Sequence, residues 1–350
     1  MTSIYTKVIS KGRPQKDNDG PINTPVSLNS SYHAGGEIGY GRYGNDTCSS
    51  LEEVIASLEK GRTLAFSSGM SATQAILNLA PVGAKVVASN QGYAGVNATL
   101  NKLDKANKVK AVFVDISNTG EVLGNLDDAW MLWIESPTNP MLQVADIERL
   151  IKSAKRNNVI VVVDNTFATP INQVPLDMGA DISINSVSKY FAGHTDVLGG
   201  SISTNNSDLY DLIEFERKIG GTIMQPFEAF LALRGIRTFP MRFERAQDTA
   251  KKIVEKLKEH SLVKETYYPG FGAMISFDIY GTPEDSEKIC SSSRLIANAT
   301  SLGGVESLWE RRRRWPLESN IVPKTLIRLS VGCEDPDDLW RDINSCLDLI

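Results

Sequence analysis

Six short apolar runs recur between residues 63 and 185, and helix-patterned stretches separate them. This alternation constrains the fold more than any other feature of the chain. The runs are Thr63–Phe66, Ala84–Ser89, Ala111–Asp115, Met131–Glu135, Val159–Asp164 and Ile182–Asn185. Each has the length of a strand. Strands joined by helical crossovers pair in parallel, because every crossover returns the chain to the same end of the sheet. The expectation is therefore an α/β fold: a large, mostly parallel sheet with helices on both faces, and a smaller α+β unit after it. Sheets of this kind place ligands at the carboxyl ends of their strands.

Two of those strand ends carry chemistry. Val159–Asp164 closes on a lone carboxylate, Asp164, and Ile182–Asn185 leads straight into Ser186-Val187-Ser188-Lys189-Tyr190-Phe191-Ala192-Gly193-His194-Thr195-Asp196. A lysine is ordinarily a solvated surface charge. Lys189 stands instead just past a strand end, two hydroxyls before it and an aspartate on a nearby strand. That set suits pyridoxal phosphate: the amine forms the Schiff base, Ser186 and Ser188 take phosphate oxygens, and Asp164 keeps the pyridine nitrogen protonated.

Other strand ends offer supporting groups, each with a plainer reading beside it. Phe66-Ser67-Ser68-Gly69-Met70-Ser71-Ala72 leads into a helix pattern whose first N–H groups can hold an anion, or is an ordinary capped turn. Tyr93 can lie flat on a cofactor ring, or is a half-packed turn residue. Asn139, between Pro137 and Pro140, can donate to the cofactor's phenolate oxygen, or belongs to a rigid turn. Arg328 sits in the apolar strand pattern Leu326–Val331 and, if buried, needs an anion: a substrate carboxylate or an internal partner.

The chain has 350 residues and a net charge of −5, which disfavours nucleic acid and anionic membranes as general partners. Arg311-Arg312-Arg313-Arg314 is the contrary feature, and is expected as a solvated or subunit-facing helix side. The cysteines Cys48, Cys290, Cys333 and Cys346 lack CxxC spacing and the histidines are scattered, so no metal site is expected and a reducing compartment is. The polar first thirty residues hold no signal-peptide core. The expectation is a cytoplasmic protein with no membrane-spanning segment.

Residues 1–45 lack sustained periodicity and read as an irregular arm packed on a partner subunit. Residues 46–235 are expected as the large cofactor domain and 236–350 as the C-terminal one. A helix is expected from Ser49, capped by Ser49 or Ser50 and closed at Gly61, and a further helical stretch over Pro226–Thr249.

Over nearly its whole length the chain resembles the Cys/Met-metabolism, or trans-sulfuration, family of fold-type I pyridoxal-phosphate enzymes. The resemblance rests on Tyr40-Gly41-Arg42-Tyr43-Gly44-Asn45, Ser68-Gly69-Met70, Glu135-Ser136-Pro137-Thr138-Asn139-Pro140, Asp164 to Pro170, Ser186 to Asp196, Ser301 to Leu308, and Leu326 to Asp335. It implies that Lys189 and Tyr93 are the catalytic pair. Asp164, Ser186, Ser188, Gly69, Met70, Tyr93 and Asn139 would hold the cofactor with Lys189. Tyr40 and Arg42 would reach the phosphate in the neighbouring subunit, making the enzyme a homo-oligomer, a tetramer built from dimers that share active sites. Ser301 and Arg328 would bind the substrate carboxylate, and Glu306 would meet the distal amine of cystathionine. The implied activity is that of a cystathionine γ-lyase. Cystathionine γ-synthase, methionine γ-lyase, O-acylhomoserine sulfhydrylase and a catalytically lapsed pyridoxal-phosphate-binding regulator are the alternatives. Three departures from the family pattern stand out: Asn45-Asp46-Thr47 replaces Asn-Pro-Thr and suggests a looser turn, a stretch before Gly272 is missing, and Trp309 to Trp315 replaces a His-Pro-rich loop.

Overall fold

The computed structural model describes residues 2–316 and 318–350. Seven strands form the first sheet: β1 (Arg62–Phe66), β2 (Ala84–Ser89), β3 (Val109–Val114), β4 (Ala129–Glu135), β5 (Ile160–Asp164), β6 (Ile182–Asn185) and β7 (Gly200–Thr204). Their order is β1-β7-β6-β5-β4-β2-β3. Only β7 runs antiparallel to its neighbours β1 and β6; the other pairings are parallel.

The strands read as unbroken apolar runs because both faces of the sheet are covered. In β4, Met131 and Trp133 pack in one cluster with Ile76 and Leu100 from the helices Gly69–Asn78 and Ala94–Lys105. Leu132 and Ile134 face the opposite way and join Leu150 and Ile151 of the helix Ile147–Arg156. A charge at any of these positions would lie in a dry layer, so the fold and the sequence pattern enforce each other.

The second sheet contains β8 (Val263–Tyr267), β9 (Met274–Ile279), β10 (Ala297–Asn298), β11 (Leu308–Arg311) and β12 (Ile327–Ser330), in the order β10-β11-β12-β9-β8. A third cluster joins the two sheets. It takes Phe243, Ala250 and Leu257 from the helix Phe239–Glu259, Ile275 and Phe277 from β9, and Tyr190, Phe191 and Ala192 from the segment after Lys189. The candidate lysine is thus followed by three core residues, which fix its backbone.

Several boundaries differ from the sequence reading. The helix over Asp46–Glu59 is capped by Asn45, whose side chain accepts from Cys48 N, rather than by Ser49 or Ser50. Asn45-Asp46-Thr47 is therefore the helix start, with Asp46 favourably in the first turn, and not a looser turn. The helix closes one residue earlier than expected, on left-handed Lys60. A short helix, Ile4–Ser10, occupies part of the arm expected to be irregular. The stretch Pro226–Thr249 is split between helices Pro226–Ile236 and Phe239–Glu259. The arginine run is not a helix side: Arg311 ends β11, and Arg312–Arg314 form one 3-10 turn with Arg312 buried. Among the described residues no helix is long and apolar enough to cross a membrane.

Candidate active site

A cavity of about 1170 Å³ opens between the carboxyl ends of the first sheet and the strands β11 and β12 of the second. That volume exceeds the ~300–1,000 Å³ of most small-molecule sites, so a cofactor and an amino acid fit together. Gly69, Met70, Tyr93, Asn139, Asp164, Ser186, Ser188, Lys189, Ser301, Glu306 and Arg328 all line it.

Lys189 Nζ donates to Ser301 Oγ over 2.7 Å. Burial, then the Arg328 charge, brings its ammonium down to about 8, with Glu310 opposing. A neutral amine is therefore accessible near neutral pH, as a Schiff-base lysine or general base requires. Ser301 reaches it from a strained backbone, φ 125°. Gly303, at φ +81°, lets the same loop press on the lysine: a Cβ there would stand 2.8 Å from Tyr190 N. Only glycine fits both the conformation and the space.

Asp164, at the end of β5, accepts from Thr166 N over 3.0 Å. Burial raises its pKa, with the Thr166 contacts opposing, and no cation relieves it. A half-buried, desolvated carboxylate at a cavity wall without a basic partner fits a pyridinium N–H. Glu135 lies beside Asp164 in register and accepts from Tyr93 N at 2.5 Å. Burial, then Asp164, pushes Glu135 well above the ordinary carboxyl range. Beneath the site, buried Glu59 accepts from Asn165 at 3.0 Å, Asn185 at 2.8 Å and Ser183 at 2.9 Å. It therefore ties the ends of β5 and β6, the strands carrying Asp164 and leading to Lys189.

The anion pole of the cavity is the start of the helix Gly69–Asn78. Ser68 caps it through a reciprocal pair with Ser71. The N–H groups of Gly69 and Met70 come too early for intrahelical acceptors and remain for a phosphate. Strand β7 passes close behind: a Cβ on Gly200 would lie 2.4 Å from Ser68 O. Ser186 stands next to this helix start, its Oγ 3.4 Å from where a Cβ of Gly69 would be. Ser188 Oγ is engaged with the backbone of Gly199, accepting from its N–H at 2.8 Å. Asn139 Oδ1 accepts from Arg328 at 2.8 Å, which leaves its Nδ2 free to donate. Tyr93 is 46% exposed at the mouth. Donors, base and lone carboxylate together fit pyridoxal phosphate.

Arg328 is buried and pairs with Glu310 over 2.9 Å across the β11–β12 register. The two readings of this arginine therefore coexist: it has an internal carboxylate partner and still lines the cavity. Glu306 Oε1 accepts from Thr195 Oγ1. Tyr40 and Arg42 do not line the cavity of their own chain. Arg42 packs near Tyr40 and Tyr43 and donates to Lys218 O. Sequence reasoning missed Glu135, Glu59, Glu310 and Glu318. Glu310 had a signal: it precedes the arginine run by one residue and is followed by a second glutamate, Glu318, just beyond it.

Fold and site define a lysine-based pyridoxal-phosphate enzyme. The particular family follows from its relatives: the family model "Cys/Met metabolism PLP-dependent enzyme" matches residues 5–348, and the chain belongs to that family. It is 36% identical to the cystathionine gamma-lyase of Dictyostelium discoideum, over 99% of this chain and 97% of that protein. It is 35% identical to the cystathionine beta-lyase of Lactococcus lactis subsp. cremoris, over 99% and 100%. A solved structure of cystathionine gamma synthase from Xanthomonas oryzae pv. oryzae, in complex with cystathionine, is similar at a TM-score of 0.94 and 30% identity, covering 99% of this chain and 98% of that one.

Proposed function

We propose that the enzyme cleaves cystathionine by α,γ-elimination, giving cysteine, 2-oxobutanoate and ammonia. One observation favours cystathionine over methionine and O-succinylhomoserine as the substrate. Glu306 lines the same cavity as Arg328, and the nearby arginines Arg311, Arg312 and Arg314 pair with Glu287, Glu310 and Glu318 instead of with it. Its carboxylate is thereby available to a cationic group. Cystathionine carries an ammonium at its far end; methionine carries none, and a succinylated homoserine carries a carboxylate that Glu306 would repel.

The roles of the residues follow from their chemistry. Bound pyridoxal phosphate supplies an electron sink for negative charge at the substrate Cα. Arg328 and Ser301 hold the α-carboxylate, which sets the Cα–H bond toward Lys189. Lys189 Nζ takes the Cα proton and later acts at Cβ, the second proton loss that departure of a γ-substituent requires. Tyr93 covers the mouth, and Glu306 with Thr195 anchors the distal amine.

Replacing Glu306 with Val should lower kcat/KM for cystathionine by about tenfold to a hundredfold, a loss of ~1–3 kcal/mol. Turnover of methionine or O-acylhomoserine should be spared. Parallel steady-state assays check this; equal losses on all substrates would remove Glu306 as the selector and leave γ-lyase activity without its main support.

The same reading makes the enzyme a homo-oligomer with shared sites, Tyr40 and Arg42 entering the neighbour's cavity. Arg42→Ala should then weaken cofactor retention, and mixing it with Lys189→Ala protein should restore part of the activity through hybrid dimers. Absence of any recovery after proven subunit exchange would count against a shared site.

A further inference from the structure

The arginine segment that replaces the His-Pro-rich loop sits against the cavity, not on the surface. Glu310, on β11, is buried and receives five donors from side chains around it. Arg328 donates at 2.9 Å, Arg314 at 2.9 Å, Trp315 Nε1 at 3.1 Å, Thr300 Oγ1 at 2.9 Å, and Arg312 is the fifth. Arg312 is itself forked onto Glu318, at 2.9 and 2.7 Å. Burial alone would raise the Glu310 carboxyl, yet Arg328 and Arg312, with the N–H groups of Trp315 and Arg314, outweigh it and hold it down to about 2. Glu310 is therefore ionised throughout any working pH range.

The charges of this cluster have a simple consequence. Three guanidinium groups (Arg312, Arg314, Arg328) meet two carboxylates (Glu310, Glu318), so one positive charge remains for an incoming anion. Geometry selects where it is expressed. Arg328 uses N–H groups on Asn139, on Ser301 O at 3.1 Å and on Glu310, which fixes the guanidinium plane while other N–H groups remain. Were Glu310 shared with no other arginine, it would neutralise Arg328 outright; Arg312 and Arg314 draw on the same carboxylate and prevent that.

We propose that Glu310 is a positioning residue for recognition of the substrate α-carboxylate, fixing the plane of Arg328, while Arg312 and Arg314 keep that guanidinium from being neutralised by it. The proposal rests on the reading of Arg328 as the carboxylate contact. It predicts a loss confined to ligands that carry an α-carboxylate.

The test compares L-norleucine with 1-aminopentane, which differs only by lacking the carboxylate. Each is titrated into holoenzyme and followed by the cofactor absorption band, in wild type, Glu310→Gln, Glu310→Asp and Arg328→Met. Glu310→Gln should weaken norleucine binding by about tenfold or more, because Arg328 loses the charged partner that sets its plane, and aminopentane binding by no more than about twofold, because that ligand has no carboxylate for Arg328 to hold. Glu310→Asp keeps the charge and should recover part of the loss. It carries the test alone if the Gln variant does not fold, a norleucine-to-aminopentane ratio equal to that of wild type then overturning the proposal. A ratio that falls in Arg328→Met but not in the Glu310 variants overturns the role of Glu310 and leaves Arg328 in place. A ratio that falls in none of them overturns both.

Discussion

Replacing Lys189 with Ala should abolish turnover of every substrate while the protein still holds pyridoxal phosphate, now without a covalent bond. The loss combines the Schiff-base amine with the general base, and general acid–base catalysis alone accounts for about 10²–10⁴-fold. Retention follows from the rest of the cavity: the helix start at Gly69 and Met70, Ser186 beside it, and Asp164 at the end of β5 do not depend on the lysine side chain. Borohydride reduction of wild type followed by peptide mapping checks the assignment. The label should fall on the peptide containing Lys189, and a label on any other lysine would end it.

Asp164→Asn should be nearly as damaging, for an electrostatic reason. The wild-type side chain is half-buried, and its carboxylate has no cation beside it and a pKa raised by desolvation. A protonated pyridine nitrogen would complete the pair, and removing one partner of a buried pair typically costs ~3–5 kcal/mol. A loss of that size in the rate-limiting barrier is roughly a hundredfold to several-thousandfold in kcat. The side chain keeps its shape, so the thermal midpoint of apoprotein should change little, or rise as a buried charge is removed. Single-turnover kinetics and apoprotein melting together separate this from a folding defect, which would lower both.

The large sheet was legible because both its faces are dry: strands such as β4 and β5 appear as unbroken apolar runs. Strand β7 was not, because Gly200-Ser201-Ile202-Ser203-Thr204 is built of small residues chosen for close packing against the Ser68 turn, and it carries no apolar run. Lys189, Asp164, Ser186, Asn139 and Arg328 could be found because each is a polar residue at or in an apolar strand. Glu135, which ends β4, and Glu59, the last residue of the helix Asp46–Glu59, were passed over, since their partners (the Tyr93 N–H, Asn165, Asn185) come from distant parts of the chain. The arginine run misled in the other direction. Four adjacent positive charges suggest a solvated face, and only the fold brings Glu310 and Glu318 around Arg312 to make burial tolerable. Family relatives bring a further possibility that the residue pattern did not raise, since a cystathionine beta-lyase is as similar as the gamma-lyase.

The most direct measurement is product identification from cystathionine alone. Purified holoenzyme incubated with L,L-cystathionine, and analysed by mass spectrometry, should yield cysteine and 2-oxobutanoate in equal amounts, with ammonia, and Lys189→Ala should yield none. Homocysteine and pyruvate in their place would contradict the account, because they report cleavage on the β side and a site that holds the substrate by its other amino-acid end.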